Sequence, residues 1–135
     1  MKLFVPGRIC LFGEHTDWAG GYRRINADLE KGYTIIAGTN QGIYSEVEPH
    51  PTKLILRSML SDGTRTGQFE VEMERDALLA EAEKGGFFSY AAGVAYQVLT
   101  HYRVRGLVID NYLTDLPVKK GLSSSAAICV LVARA

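Results

Sequence analysis

The second half of the chain carries the run Leu116-Pro117-Val118-Lys119-Lys120-Gly121-Leu122-Ser123-Ser124-Ser125-Ala126-Ala127. Residues 107–112 before it have the character of a strand, and the alanine-rich residues 126–135 after it predict a buried helix. Backbone N–H groups at a helix N-terminus lack intrahelical partners, and the helix dipole favours an anion there. A strand, a loop with glycine and hydroxyls, and a helix therefore predict a phosphate-binding loop.

Two residue types in this loop suit that chemistry. Gly121 permits a close approach of the backbone to a ligand. Ser123, Ser124 and Ser125 can cap the helix and offer oxygens to phosphate or to Mg²⁺. The spacing Gly-x-x-x-x-Gly-Lys-Ser is absent, so the loop is not of the Walker type. Taken alone, the serine triplet is explained equally well as a cap before an alanine-rich helix.

A second polar motif lies near the N-terminus. It reads Pro6-Gly7-Arg8-Ile9-Cys10-Leu11-Phe12-Gly13-Glu14-His15-Thr16-Asp17-Trp18-Ala19-Gly20-Gly21-Tyr22. The motif places one cation, two carboxylates and an imidazole around a glycine. Such groups can bind a polyol, because carboxylates accept hydrogen bonds from hydroxyls and an imidazole can donate or accept. A polar turn with a hydrogen-bonded histidine is the alternative.

Hydrophobic periodicity predicts an α+β domain. In residues 68–74 Phe69, Val71 and Met73 alternate with polar residues, which is typical of a half-buried strand. Further strands are predicted at residues 2–5, 9–12, 33–37, 43–47 and 53–57. Turns are predicted at 20–21, 40–42, 49–51 and 62–63. A short helix is predicted at 76–84, and a core-facing helical stripe comprises Phe87, Ala91, Val94, Ala95, Val98, Leu99 and Tyr102. Strands and helices in mixed order indicate the α+β class.

Composition excludes several classes of function. The chain has 135 residues, of which 47% are apolar, and its 15 basic residues balance 15 acidic ones. A neutral chain without a basic block gives no electrostatic reason for a nucleic-acid or membrane partner. The two cysteines, Cys10 and Cys129, lack the spacing of a zinc site, and apolar neighbours predict buried free thiols. Without a signal peptide or an apolar span, we expect a cytoplasmic protein.

Together the two motifs resemble those of the GHMP kinases, the family of galactokinase, homoserine kinase, mevalonate kinase and phosphomevalonate kinase. In that family the serine loop wraps the phosphates of ATP, so the resemblance implies ATP and Mg²⁺ as cofactors. The nucleotide would be bound by Lys119, Gly121, Leu122, Ser123, Ser124 and Ser125, and Mg²⁺ by Ser125. The implied fold is the GHMP kinase N-terminal domain, which is similar to domain 2 of ribosomal protein S5.

The N-terminal motif resembles the galactokinase signature, in which Gly-Arg is followed by Gly-Glu-His-Thr-Asp. By this resemblance Glu14, His15 and Asp17 hold the hydroxyls of a sugar. Arg8 would act as the catalytic cation near the transferred phosphoryl group, where its planar, permanently charged guanidinium suits an oxyanion. The implied function is ATP-dependent phosphorylation of a sugar hydroxyl by a galactokinase-like sugar 1-kinase.

This sequence departs from the galactokinase pattern at three positions, and alternatives remain open. Cys10 stands where galactokinases usually have asparagine, Trp18 replaces a tyrosine, and Lys119 replaces a small residue. The apolar run around Cys10 resembles mevalonate kinases instead, so a mevalonate-type isoprenoid kinase is an alternative. A non-catalytic ATP and sugar sensor on a kinase scaffold is another. An RNA-binding domain of S5-like fold is disfavoured by the neutral charge.

We expect residues 1–135 to be a truncated N-terminal GHMP kinase domain whose C-terminal domain is absent. Residues 129–135 contain no cap, glycine or proline that would stop a helix. The family's proposed base, an aspartate, lies well downstream of the serine loop, so no base is assigned here. The chain alone is therefore expected to be inactive or nearly so, and its oligomeric state is left open.

Overall fold

The computed structural model describes residues 1–14, 19–30, 32–116 and 123–135. These residues form five strands: β1 (Lys2–Phe12), β2 (Ile35–His50), β3 (Lys53–Ser58), β4 (Phe69–Glu72) and β5 (Gly106–Thr114). They also form three α-helices: α1 (Arg75–Glu83), α2 (Ser89–His101) and α3 (Ser124–Arg134). A short 3-10 helix, Gly20–Arg24, begins within the last residues of the N-terminal motif.

The strands make one mixed sheet with the order β1-β2-β5-β3-β4. β5 is the central strand, antiparallel to β2 and parallel to β3, and the connection from β3 to β5 contains β4, α1 and α2. This arrangement confirms the α+β prediction. It also places the end of β5, where the serine run follows, beside β2, whose other neighbour is the N-terminal strand β1.

The core lies between one face of the sheet and the three helices. On β2 the side chains of Ile43, Ser45 and Val47 are buried, while those of Glu46 and Glu48 between and after them are exposed. The core side chains from the helices are Leu78, Ala91, Ala92, Ala95, Ala127, Leu131 and Val132. Full burial of each larger aliphatic side chain contributes about 1.5–3 kcal/mol, so this layer supplies most of the stabilisation.

Most of the predicted elements are present. β3 matches the strand predicted at 53–57, and β4 lies within the alternating residues 68–74, where Phe69 and Val71 pack against the core while Glu70 and Glu72 are exposed. The predicted strands at 2–5 and 9–12 are one continuous strand, β1, because β2 pairs with both halves. The turn at 62–63 is also present, with Gly63 at φ 82.

The predicted turn at residues 40–42 is wrong. β2 runs straight through these residues as a 16-residue strand. Its register with β1 changes here, since Pro6 pairs with Gly42 and Arg8 pairs with Gly38, so residues 39–41 lie opposite Gly7. The extra residues form a β-bulge, and pairing on both sides of the bulge keeps the strand continuous. The predicted turn at 20–21 likewise begins the 3-10 helix.

Both ends of the predicted helical stripe are wrong. Phe87 is 57% exposed and Tyr102 is 69% exposed. The helix begins at Ser89 and ends at His101, so the helical period does not apply to these two residues. Phe88 instead stacks on Phe69, with ring centroids 4.6 Å apart, and packs against the core.

The prediction of buried thiols is also wrong in degree, since both cysteines are free and half-buried. Within the described ranges, no helix is long and apolar enough to cross a membrane.

Candidate functional site

Arg8 projects from an irregular part of β1. The bulge opposite Gly7 precedes it, and a second register shift lies between Cys10 and Phe12. Bulges bend a strand and redirect its side chains, and they are common beside functional sites. Arg8 therefore lies between two irregularities of β1.

Glu14 is turned toward Arg8 by the glycine before it. Gly13 has φ 80, a left-handed conformation that costs glycine little and other residues more. The Glu14 carboxylate then lies near the guanidinium, with Oε1 3.5 Å from Arg8 Nη2. Both side chains are about half exposed, so the pair contributes little to stability and acts mainly by orienting the two groups.

Ser123 joins the second motif to the first. It precedes α3 in the N-cap position, where its backbone is left-handed at φ 58 and ψ 43 and its side chain makes no capping bond. Instead its hydroxyl oxygen accepts hydrogen bonds from Arg8, at 3.3 Å from Nε and 3.2 Å from Nη2. These contacts connect residues 115 positions apart.

Asp115 ties the segment before the serine run to β2. Its carboxylate accepts a hydrogen bond from the Gly42 N–H at 2.6 Å, and its own N–H donates to the Gly42 carbonyl at 3.2 Å. The next residue, Leu116, is fully buried in the core. Gly42 pairs with Pro6 on β1, so one short segment of β2 positions both motifs.

The Cys10 thiol lies beside the Arg8 cluster, which comprises Arg8, Glu14 and Ser123, and it donates a hydrogen bond to the Phe12 carbonyl at 3.3 Å. Burial raises the pKa of the thiol most, and the Glu14 carboxylate raises it further through its charge and a hydrogen bond. The positive charge of Arg8 and the Phe12 backbone oppose this rise in pKa. The thiol therefore stays protonated and serves as a hydrogen-bond donor.

A cleft of about 330 Å³ opens next to the N-terminus of α3. Ser124 and Ser125 line it, together with Ile43, Ser58, Met59, Leu60, Phe87, Tyr90, Asn111, Thr114 and Ile128. Apolar and aromatic walls with a few polar groups are typical of small-molecule sites. In its polar part Asn111, which is buried, hydrogen-bonds Ser58 at 3.0 Å and Thr114 at 2.9 Å. Both partners remain in reach in either orientation of the amide.

A larger cleft of about 970 Å³ lies at the other end of β5 and α3, where Gly106 and Ala135 line it. The described residues of the two motifs are not among those that line it. We therefore consider the smaller cleft, which contains two of the predicted serines, the functional candidate.

The structure brings together Arg8, Glu14 and Ser123, and it places Ser124 and Ser125 at the neighbouring cleft. The other predicted site residues, His15, Asp17, Lys119, Gly121 and Leu122, lie outside the described residues.

Sequence reasoning missed Asn111 and Asp115. An amide inside a strand rich in apolar residues was a signal for Asn111, whereas the role of Asp115 depends on its distant partner Gly42.

The N-terminal motif is similar to a known sequence signature. The galactokinase galactose-binding signature matches residues 3–39. The galactokinase of Bacillus subtilis (strain 168) is 29% identical over 134 residues, and that of Lactobacillus helveticus is 32% identical over 135 residues. Each alignment covers 96% of this chain and 30% of the relative.

The fold is similar to that of mevalonate kinase. The crystal structure of the Methanococcus jannaschii enzyme matches 98% of this chain and 38% of its own, with a TM-score of 0.67 and 19% identity. Galactokinase and mevalonate kinase are both GHMP kinases. The sequence and the fold of this chain are thus both similar to those of GHMP kinases.

A further GHMP kinase structure has the same fold, that of Streptococcus pneumoniae phosphomevalonate kinase in complex with phosphomevalonate and AMPPNP. It matches 99% of this chain and 35% of its own, with a TM-score of 0.52 and 15% identity. The chain spans about 30% of the length of the galactokinases that it matches.

Proposed function

We propose that residues 1–135 form the N-terminal domain of an ATP-dependent GHMP kinase that phosphorylates a sugar hydroxyl, as a galactokinase-like sugar 1-kinase. One observation carries the proposal: Arg8 of the first motif hydrogen-bonds Ser123 of the second. A cation, a carboxylate and a hydroxyl-rich helix start thus meet beside a cleft. These are the groups that phosphoryl transfer needs for positioning and for charge stabilisation.

The nucleotide would lie along the cleft. Its phosphates would meet the N-terminus of α3 at Ser124 and Ser125, with Lys119, Gly121 and Leu122 contributing from the preceding loop. Phe87 and Tyr90 offer aromatic surface in the cleft on which a base can stack. AMPPNP in the phosphomevalonate kinase structure, a protein of the same fold, supports a nucleotide as the ligand.

Mg²⁺ fits this site as a partner of the nucleotide. Among the described residues no group of three or more His, Cys, Asp or Glu side chains could hold a metal ion. Mg²⁺ is commonly bound by few protein oxygens together with substrate phosphates and water. Ser125 is exposed, and its hydroxyl would supply one such protein oxygen. When bound, the ion would neutralise phosphate charge.

The sugar would lie at the N-terminal motif, where Glu14, His15 and Asp17 would bind its hydroxyls. The galactose-binding signature over residues 3–39 supports this assignment. In the transfer, the sugar oxygen forms a bond to the γ-phosphorus and the bond to the β–γ bridging oxygen breaks. ADP leaves, the hydroxyl proton passes to solvent water, and the charge of Arg8 would stabilise the transferred group. We propose a cytoplasmic protein whose partners are ATP and a sugar or polyol.

Ligand binding by the 135-residue chain tests the proposal. We expect MgATP to bind in isothermal titration calorimetry, and the double variant Ser124→Ala/Ser125→Ala to bind it at least about tenfold more weakly. Saturation-transfer NMR with galactose, other monosaccharides and mevalonate then identifies the substrate class. Circular dichroism must show that the variant is folded. A folded wild-type chain that does not bind MgATP would contradict the proposal.

A mevalonate-type kinase is the second candidate. The mevalonate kinase fold match and the apolar residues around Cys10 favour it. In the same NMR panel, binding of mevalonate without any sugar would select this candidate over the sugar kinase. A non-catalytic sensor would bind ATP and sugar without turnover.

A further inference from the structure

The serine triplet has two kinds of environment. Ser124 and Ser125 line the cleft beside α3. Ser123 directs its hydroxyl to the Arg8 guanidinium and accepts from two of its nitrogens. The three adjacent serines thus have different surroundings: Ser123 contacts Arg8, whereas Ser124 and Ser125 line the cleft.

The backbone of Ser123 supports a specific task for this residue. Its φ of 58 is the only positive value among the described residues other than glycine. Such a conformation is unfavourable for residues with a Cβ and persists where the surroundings hold it. At an N-cap serine normally bonds the helix N–H groups, but here its side chain makes no capping bond. The left-handed turn instead directs the hydroxyl away from the helix and toward Arg8.

The contacts of Arg8 within the described residues involve two of its three guanidinium nitrogens. Nε and Nη2 donate to Ser123, and Nη2 faces Glu14 as well. Among the described residues, Nη1 has no hydrogen-bond partner. The five N–H donors of arginine lie in one rigid plane. Hydrogen bonds that fix Nε and Nη2 therefore also fix the direction of the Nη1 donors.

We propose that Ser123 is a positioning residue that holds the Arg8 guanidinium, and that Ser124 and Ser125 alone of the triplet serve the nucleotide phosphates. Ser123 fixes the Nε edge of Arg8 and leaves the Nη1 edge for the phosphoryl group. The consequence for Arg8 rests on the proposed kinase function, whereas the hydrogen bond itself does not.

NMR of the ¹⁵N-labelled 135-residue chain without nucleotide tests the hydrogen bond directly. The Arg8 Nε–H resonance is assigned by its loss in Arg8→Lys. We expect solvent exchange of this proton to be about tenfold faster in Ser123→Ala, because the acceptor is removed. Asparagine tolerates the left-handed conformation and offers an amide oxygen, so Ser123→Asn should restore slow exchange.

Two further measurements complete the test. Ser123→Gly removes the hydroxyl without the conformational cost of alanine, so it should show the same fast exchange even if Ser123→Ala is unstable. Calorimetry with MgATP should give Ser123→Gly an affinity within about twofold of wild type, while Ser124→Ala is weakened about tenfold. Equal Nε–H exchange in wild type and Ser123→Gly would overturn the proposal. So would a loss of MgATP affinity in Ser123→Gly as large as in Ser124→Ala. Absence of MgATP binding in every variant would refute the kinase function and leave the exchange result standing.

Discussion

Cys10 is the residue whose chemistry is most directly tied to the candidate site. Burial and the Glu14 carboxylate raise the pKa of its thiol, and Arg8 lowers it less strongly. Alkylation requires the thiolate, so the rate should rise only at higher pH than for a free cysteine. Glu14→Gln removes the negative charge and should shift the profile to lower pH.

The measurement is the rate of iodoacetamide alkylation as a function of pH in a Cys129→Ser background, so that Cys10 alone reacts. The Cys10→Ser chain, with Cys129 intact, serves as the matched control, because burial raises the pKa of the Cys129 thiol without a contribution from Glu14. An identical profile for Cys10 with and without Glu14 would show that the carboxylate does not contact the thiol in solution.

Gly42 is the residue of β2 that pairs with Pro6 of the first motif and hydrogen-bonds Asp115 just before the second. A Cβ at this position would overlap the Val5 carbonyl oxygen and the Phe4 ring, both on β1. We expect Gly42→Ala to destabilise the fold by about 1–3 kcal/mol, since backbone must shift to relieve the overlap. Gly38, on the same strand, has open space at its Cβ, so Gly38→Ala should change stability by less than about 0.5 kcal/mol. Urea unfolding of both variants measures the difference, and equal stabilities would contradict the prediction.

At this scale the sequence predicts best where the signal is local. Alternation at Phe69 and Val71 identifies β4, because each side chain's environment depends on a period of two. The bulge opposite Gly7 was mistaken for a turn, since the residues involved are turn formers and only the pairing with β1 distinguishes the two. Phe87 was placed in the core because the start of α2 at Ser89 carries no capping bond that a sequence could show.

At the candidate site, the sequence identifies which residues take part but not which of them contact each other. The motifs predict that Arg8 and the serines act together, but the choice of Ser123 as the partner depends on one left-handed residue. That conformation follows from how β1, β2 and the start of α3 meet, which is a tertiary property. The capping role expected for Ser123 is therefore wrong for a reason that no local pattern contains.

In the whole molecule, the contact between Arg8 and Ser123 depends on the order of strands β1, β2 and β5 in the sheet. Arg8 comes from β1 at one edge, and Ser123 follows the central strand β5, so β2 must lie between them before the two can meet. Local unfolding of β1 would separate the motifs while leaving β3, β4 and β5 paired. The Arg8–Ser123 contact beside the cleft therefore depends on long-range strand pairing and on the packing of α3 against β1 and β2.

For the 135-residue chain we expect MgATP binding without efficient phosphoryl transfer. Within the group of Arg8, Glu14 and Ser123, Glu14 is the one carboxylate among the described residues, and its carboxylate lies 3.5 Å from the Arg8 guanidinium, so this group offers no unpaired carboxylate for the hydroxyl proton. The chain also spans only about 30% of the galactokinases that it matches. We expect MgATP to bind while ADP release with galactose, measured by a coupled assay, stays at least about a thousandfold below that of a galactokinase run alongside. Turnover by the 135-residue chain at the galactokinase rate would show that the described cluster, with the remaining motif residues, already contains a complete catalytic site.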